Sequence, residues 1–168
     1  MPIAQSLLSE FDQEMATTRK TLERVPDAAF AWKPHPKSFS MEDLANHIGQ
    51  MPAWATVTLK EESFDVSPQG KPVQFPKGAS TQEILATFDE GVAAARAALL
   101  ETSDEQMAQP WSLLGNGQVY FTLPRLAVLR SFTLNHLVHH RAHLGLYLRL
   151  NDVPVPAMYG PSADESGM

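Results

Sequence analysis

The 168-residue sequence contains no cysteine, and this absence excludes several kinds of protein chemistry. It rules out a disulfide framework, thiolate metal ligands and a nucleophilic thiol, so any metal must be bound through nitrogen and oxygen. A reducing compartment is consistent with this composition. A chain of this length buries roughly two thirds of its unfolded surface without crosslinks. We expect a single domain over residues 1–168, with the core in residues 1–150 and a C-terminal tail in 151–168.

The sequence also lacks long apolar runs and clusters of basic residues. No stretch approaches the ~20 apolar residues of a membrane-spanning helix, and the N-terminus lacks the cationic start of a secretory signal. Lysine and arginine are scattered along a chain whose formal net charge is -6, so no basic patch is available for phosphate backbones. We therefore expect a cytoplasmic protein that binds neither membranes nor nucleic acids.

Three segments show the apolar spacing of three and four residues that is typical of amphipathic helices. The first of them begins near the N-terminus and must stop before Pro26. The second and third open with the capping-box pairs Ser40/Asp43 and Ser80/Glu83. These signals predict three helices, the last of which ends near residue 102.

Two regions leave the secondary structure open. Pro52 lies inside the second apolar run, so the sequence does not decide whether that helix continues to Leu59. The turn signal Gly115-Asn116-Gly117 lies between the short apolar stretches of residues 110–122, which fits either a loop or a short hairpin.

A fourth and longest helix is predicted after this region. Thr122 can cap it with Pro124 in the first turn, and the pattern then contains neither glycine nor proline until Gly145, ending near Leu150-Asn151. Four helices without convincing alternating strands predict an all-α fold, an antiparallel four-helix bundle.

Histidines of the fourth helix carry the candidate chemistry. His136 and His140 are four residues apart, so their rings lie on one helix face a single turn apart and can chelate one ion. His47, on the apolar face of the second helix, supplies the third ligand. The face that we expect to point into the core comprises Leu126, Leu129, Thr133, His136, His140, His143, Tyr147 and Leu150. Three neutral imidazoles leave a coordination position open, as in catalytic rather than structural metal sites.

The sequence leaves open which pair of histidines binds the ion and what the neighbouring residues do. His139 and His143 form a second pair four residues apart. His143 fits a hydrogen-bonded core residue best, or a second-shell group or proton carrier. Asp43, one turn before His47, is a candidate second-shell acceptor. Leu137 occupies the position of the catalytic glutamate of H-E-x-x-H metalloproteases, which excludes that class.

The other polar and aromatic candidates receive no catalytic role. No carboxylate lies beside the ligands on the fourth helix, and Glu42, Asp12 and Glu14 reach the site only if the packing brings them there. We expect His35, which lies among prolines and lysines, at the surface of a loop. The tryptophans are expected to be packing groups rather than a substrate cage; they are Trp32, Trp54 and Trp111.

Several segments together resemble the DinB superfamily, which includes DinB-like and YfiT-like metalloenzymes. The matching segments are Trp32-Lys33-Pro34, the run from Ser40 to Ile48, the run from His136 to Leu144, Tyr147-Leu148-Arg149, and the tail from Val153 to Ser162. The resemblance spans nearly the whole chain, and it implies a four-helix bundle with a three-histidine metal site.

The resemblance implies specific ligands. The first histidine of the family's site corresponds to His47, and the H-x-x-x-H-R element corresponds to His136, His140 and Arg141. The chain departs from the family at Ala142-His143, where Gly-Gln is frequent. The implied cofactor is a divalent transition metal such as Zn, Ni, Fe or Mn.

Relatives in that superfamily include transferases that use bacillithiol or mycothiol and a thiol-dependent maleylpyruvate isomerase, and members often pair as dimers. The resemblance therefore implies a metal-dependent enzyme that acts on a small molecule, either a hydrolase or a transferase that uses a low-molecular-weight thiol. It also implies assembly as a homodimer. The alternative is a non-catalytic metal-binding or stress-response module. Fold alone does not choose between them.

Overall fold

The computed structural model describes residues 2–166, which are mostly helical and include a small three-stranded sheet. In chain order the elements are α1 (Ile3–Leu22), α2 (Met41–Lys60), β1 (Ser63–Asp65), α3 (Thr81–Glu101), α4 (Asp104–Ala108), β2 (Pro110–Gly115), β3 (Gln118–Pro124), α5 (Arg125–Val128), a π-helical segment (Leu129–Asn135) and α6 (His136–Leu150). Short 3₁₀ turns occupy Asp27–Ala29 and Pro68–Gly70. The residues of the expected domain that fall outside this description are Met1, Gly167 and Met168.

Helix α2 is continuous through its internal proline. Ser40 opens it with the capping box that the sequence predicts. Pro52 lies within the helix and does not end it. At the C-terminal end, the buried side chain of Arg125 donates to the backbone carbonyls of Thr58 and Glu61. A cation therefore satisfies carbonyls that the end of a helix leaves without an intrahelical partner.

The sheet corrects the all-α expectation. Residues 110–124 form the antiparallel hairpin β2–β3, and β1 pairs with β2 in parallel. At the hairpin turn Asn116 and Gly117 have φ values of 52° and 74°, the left-handed conformation that tight hairpins require. Their backbone N–H groups both donate to the carboxylate of Asp65. This long-range contact joins β1 to the turn.

The start of the fourth long helix also differs from the expectation. Thr122 lies in β3, where its hydroxyl bonds that of Ser112 across the strands at 2.7 Å, and it does not cap a helix. The helix begins at Arg125, directly after Pro124. Its second segment, residues 129–135, is π-helical.

The π-helical segment changes which residues of this helix are buried. Its wider turns follow an i→i+5 hydrogen-bond pattern, so the apolar spacing of an ordinary α-helix does not extend through it. The buried stripe runs through Leu129, Thr133, Leu137, Arg141, Leu144 and Leu148, and Leu134 and the expected core residue Tyr147 are buried beside it. His136 and His140 are half-buried at its edge, while His143 and Leu150 are exposed. The expectation that all these histidines point into the core was therefore wrong.

The long helices share one hydrophobic core. Helix α1 contacts α3 and α6, and α2 contacts the same two helices. Among residues 2–166, no helix combines the length and the apolar character that crossing a membrane requires.

A buried ion pair joins α6 to α1. The side chain of Arg141 is 1% exposed, and its Nη2 lies 2.7 Å from Oε2 of Glu14. Its Nη1 donates to the carbonyl of Glu14 and to the hydroxyl of Thr18, both at 3.1 Å. The hydroxyl of Tyr159 accepts from Arg141 and donates to Glu14. Burial and the bond to Glu14 raise the pKa of Tyr159.

We expect Arg141→Met to lower the free energy of unfolding by about 3–5 kcal/mol, because it leaves the Glu14 carboxylate buried without its cation. Arg130→Met is the matched control. Arg130 lies in the π-helical segment that precedes α6 and pairs with Glu10 of α1, but this pair is exposed. The control should change stability by no more than ~1 kcal/mol. Urea unfolding measures both, and equal losses would contradict the interpretation.

Candidate metal centre

Three histidines from two helices converge on one half-buried position. His47 extends from α2, and His136 and His140 extend from α6. One ring nitrogen of each lies within 4.8 Å of the others. The Nε2 atoms of His136 and His140 are 2.9 Å apart, and the ring of His47 lies 4.6 Å from that of His140 between centroids. The sequence-predicted set is therefore brought together in space.

The surroundings favour the neutral form of all three rings. Burial is the largest cause that lowers the pKa of His140, to about 3, followed by the neighbouring charges of His47 and His136. Burial likewise lowers the pKa of His47 and of His136. Neutral imidazole is the form that binds a metal ion.

The residues fit a divalent transition metal. Nitrogen ligands on one tetrahedral ion, with bonds of about 2.0–2.1 Å, stand roughly 3.3 Å apart. In the cluster one nitrogen pair is 2.9 Å apart and all three nitrogens lie within 4.8 Å of one another, so small side-chain movements suffice to reach this spacing. Imidazole suits Zn, Ni, Cu and Fe alike, so the donor set does not select one ion. Nδ1 of His140 is buried and has no hydrogen-bond partner in residues 2–166. Contacts with neighbouring rings, rather than a second hydrogen bond, hold this imidazole in place.

Phe39 divides the surface beside the cluster. Its ring lies 5.9 Å from that of His47 and 6.3 Å from that of His140, and it is 49% exposed. On one side is a depression of about 380 Å³ that reaches His140 and Tyr147. On the other side is a depression of about 360 Å³ that reaches His47. Small molecules can thus approach the cluster from either side of Phe39.

Comparison with known proteins gives one family over almost the entire sequence. The model of the DinB family matches residues 1–167. The chain belongs to the DinB family. Comparison with curated proteins gives no significant match.

Two solved DinB-like structures share the fold. The crystal structure of a DinB-like protein from Bacillus cereus ATCC 10987 has a TM-score of 0.73 at 20% identity, covering 92% of this chain and 97% of that one. A DinB-like protein from Bacillus subtilis, YjoA, has a TM-score of 0.69 at 18% identity, covering 97% of this chain and 99% of that one. At these identities the likeness concerns the fold alone.

A second histidine group exists on α6 of this DinB-family chain. His139, His140 and His143 also offer ring nitrogens within 4.8 Å of one another. Two of these three, His139 and His143, are exposed, and their rings meet edge-on at 4.3 Å between centroids. His140 belongs to both groups. Because His143 is exposed, the expectation that it is a core residue was wrong.

The acidic candidates are occupied by other partners. The carboxylate of Asp43 accepts from Lys77 at 2.6 Å and from the backbone of Ser40, and Lys77 is the main cause that lowers the pKa of Asp43. Its second-shell role toward His47 stays a prediction. Asp12 pairs with Arg96 at the surface, and Glu14 belongs to the buried pair with Arg141. Neither histidine group includes a carboxylate within residues 2–166.

The remaining ring-bearing residues take different positions. His35 is exposed, as expected. Trp32 packs edge-on against Tyr147 at 5.2 Å, and Trp111 is 2% exposed, so both are packing groups. Trp54 instead lines a cavity. Sequence reasoning did not identify Phe39, although its place one residue before the cap of α2 was a usable signal.

We expect the metal-free protein to lose stability as the pH falls from 7 to 5. Burial lowers the pKa of all three rings in the folded state, that of His140 to about 3, whereas in the unfolded state they protonate near pH 6.5. The unfolded state therefore binds more protons as the pH falls and gains in population. Urea unfolding in the presence of a chelator measures the effect. Changing the three histidines to glutamine should flatten this dependence, whereas His35→Gln should preserve it. A parent whose stability is unchanged over this range would contradict the assignment.

Proposed function

We propose that this DinB-family protein binds one divalent transition-metal ion through His47, His136 and His140 and is a metal-dependent enzyme acting on a small molecule. The observation that carries the proposal is the convergence of three neutral ring nitrogens from two helices at a half-buried position. A histidine that only packs in the core needs one hydrogen-bond partner, and such a role does not explain why two further imidazoles lie beside it. The scaffold that we propose is the antiparallel four-helix bundle of a single domain.

The bound ion would act as a Lewis acid that lowers the pKa of a water or thiol at its open position. His140 lines one of the two depressions beside Phe39 and His47 lines the other, so a small molecule in either one would reach a ligand of the ion. The reaction class is that of a hydrolase or of a transferase using a low-molecular-weight thiol, since the chain has no cysteine of its own.

The alternative function is a metal-binding or stress-response module without turnover. The absence of a carboxylate from both histidine groups of residues 2–166 favours it, because neither group then supplies a carboxylate general base. The depressions favour the enzyme, because a purely structural ion needs no approach from solvent. A cytoplasmic location and assembly as a homodimer stay predictions.

Elemental analysis of the purified, untagged protein tests metal binding. We expect about one equivalent of a transition metal per chain in the parent, as for a single three-histidine site, and almost none in His136→Ala/His140→Ala. The matched control is His139→Ala/His143→Ala, which removes the exposed pair of the second group and should retain the metal. Circular dichroism verifies that all variants are folded. Loss of metal in the control instead would place the ion at the second group, and no metal in the parent after incubation with Zn and Ni would exclude the site.

Cobalt substitution tests whether the ion keeps an open position. We expect azide or cyanate to change the visible absorption of the cobalt protein, because the depressions let small anions reach the cluster. The His139→Ala/His143→Ala variant should show the same change. A spectrum that is insensitive to both anions would favour the module over the enzyme.

A further inference from the structure

An apolar cavity lies beside α2, beyond His47, and has no role in the proposed metal chemistry. Its volume is about 370 Å³, which is within the range of small-molecule sites. Helices α2 and α3, strand β1 and the segment before α3 enclose it. The residues that line it are Gln50, Ala53, Trp54, Val57, Phe64, Phe75, Pro76, Thr87 and Glu90. We call it the aromatic pocket.

Three aromatic rings form the wall of the aromatic pocket. Trp54 meets Phe64 edge-on at 5.1 Å between centroids, and Phe75 lies 6.0 Å from Trp54 and 6.4 Å from Phe64. The rings come from α2, from β1 and from the segment before α3, so the fold brings them together from separate parts of the chain. The three rings contact one another and line one side of the pocket, and Phe75 remains 42% exposed. This arrangement is typical of a binding wall rather than of a closed core.

The aromatic pocket shares walls with the depression that reaches His47. Gln50 and Phe75 line both spaces. On α2, His47, Gln50 and Trp54 follow one another at spacings of three and four residues, which places them along one face. With a rise of 1.5 Å per residue, Trp54 lies roughly 10 Å along the helix from His47. A single elongated molecule can therefore reach both.

Polar contacts fix the segment Pro72–Gly78, which carries the shared wall. The side chain of Asn46 accepts from the backbone N–H of Gly78 at 2.7 Å and donates to the carbonyl of the same residue at 3.1 Å. Gln50 donates to the carbonyl of Pro76 at 2.8 Å. Together with the ion pair of Lys77, these contacts hold the part of the segment directly after Phe75 against α2. The wall is thus formed before a ligand binds, which lowers the cost of ordering it.

We propose that the aromatic pocket binds the apolar end, an aryl or branched alkyl group, of the same substrate whose polar head is held at the histidine cluster. The proposal rests on the proposed function and adds the substrate class: a small elongated molecule with a metal-binding head about 10 Å from an apolar tail. Charge selects further, because among the described residues that line the pocket the one ionisable side chain is the carboxylate of Glu90. An anionic tail is disfavoured there, and a neutral or cationic tail is accepted.

A ligand series on the cobalt-loaded protein tests the proposal. The probes are acetohydroxamate, which has the metal-binding head alone, and phenylalkyl hydroxamates with two, four or six methylene groups between head and ring. The cobalt absorption reports the affinity of each. We expect the best phenylalkyl probe to bind roughly tenfold to hundredfold more tightly than acetohydroxamate, as burial of a phenyl group predicts, with an optimum at the four- or six-carbon spacer.

Variants locate the gain in affinity. Phe75→Ala should remove most of the ratio between the phenylalkyl probe and acetohydroxamate, and Phe75→Leu should keep part of it. Phe132→Ala is the matched control, since Phe132 is 39% exposed and stacks on Phe121 elsewhere in the fold. It should leave the ratio unchanged. A parent ratio near one, or an equal loss in the Phe132 control, would overturn the proposal even where acetohydroxamate binds and the metal site stands.

A second measurement separates the pocket from the metal. Metal-free protein is titrated with 6-phenylhexanol while the indole N–H signal of Trp54 is followed by NMR, the signal being assigned from Trp54→Phe. A saturable shift that Phe75→Ala abolishes supports binding of the tail independently of the head. The same shift in a protein that binds no metal under any condition would mean that the proposed function has failed, and the assignment of a shared substrate would fail with it. No shift at all would overturn the aromatic pocket as a tail site.

Discussion

The guanidinium of Arg141 is the constraint on which the position of the histidine cluster depends. A buried cation must keep its partners, because leaving it unpaired costs far more than the pair contributes. Glu14 and Thr18 supply those partners from α1, and Tyr159 supplies one from the C-terminal segment. Helix α6 can therefore rotate little about its axis. His140, the preceding residue, is thereby held toward α2 and His47.

The histidines occupy the border between core and solvent, and this position reconciles two opposing requirements. Deeper burial would keep the imidazoles neutral but would close the approach of a small molecule. Greater exposure would open the approach but would allow protonation near pH 6.5, which competes with metal binding. The half-buried rings beside Phe39 combine a depressed pKa at His140 with depressions on both sides. The same compromise explains why this part of the helix is less apolar than its neighbours.

Local signals predicted what local forces determine. The capping box at Ser40, the side-chain cap at Ser80 and the spacing of His136 and His140 involve residues within about one turn of each other, so the sequence displays them directly. The parallel pairing of β1 with β2, the carboxylate of Asp65 at the hairpin turn and the Phe75 wall join residues far apart in the chain. The spacing of apolar residues along the sequence gives no information about such long-range contacts. The buried stripe of the last helix was misplaced for a related reason, since an α-helical period was carried through a π-helical segment. The DinB resemblance identified the fold, but not the sheet within it.

The π-helical segment Leu129–Asn135 has a consequence for how this fold tolerates change in length. A π turn holds one residue more than an α turn, and it lies between the part of the helix that meets β3 and the part that carries the histidines. Deleting one residue there, with return to ordinary α geometry, leaves everything downstream facing as before, because the wider turn is what accommodates the extra residue. A deletion elsewhere in the helix has no such compensation, and it rotates Arg141 and the histidine pair by about 100° relative to the preceding segment. This stretch is therefore the place in the helix where a change in length of one residue is tolerated.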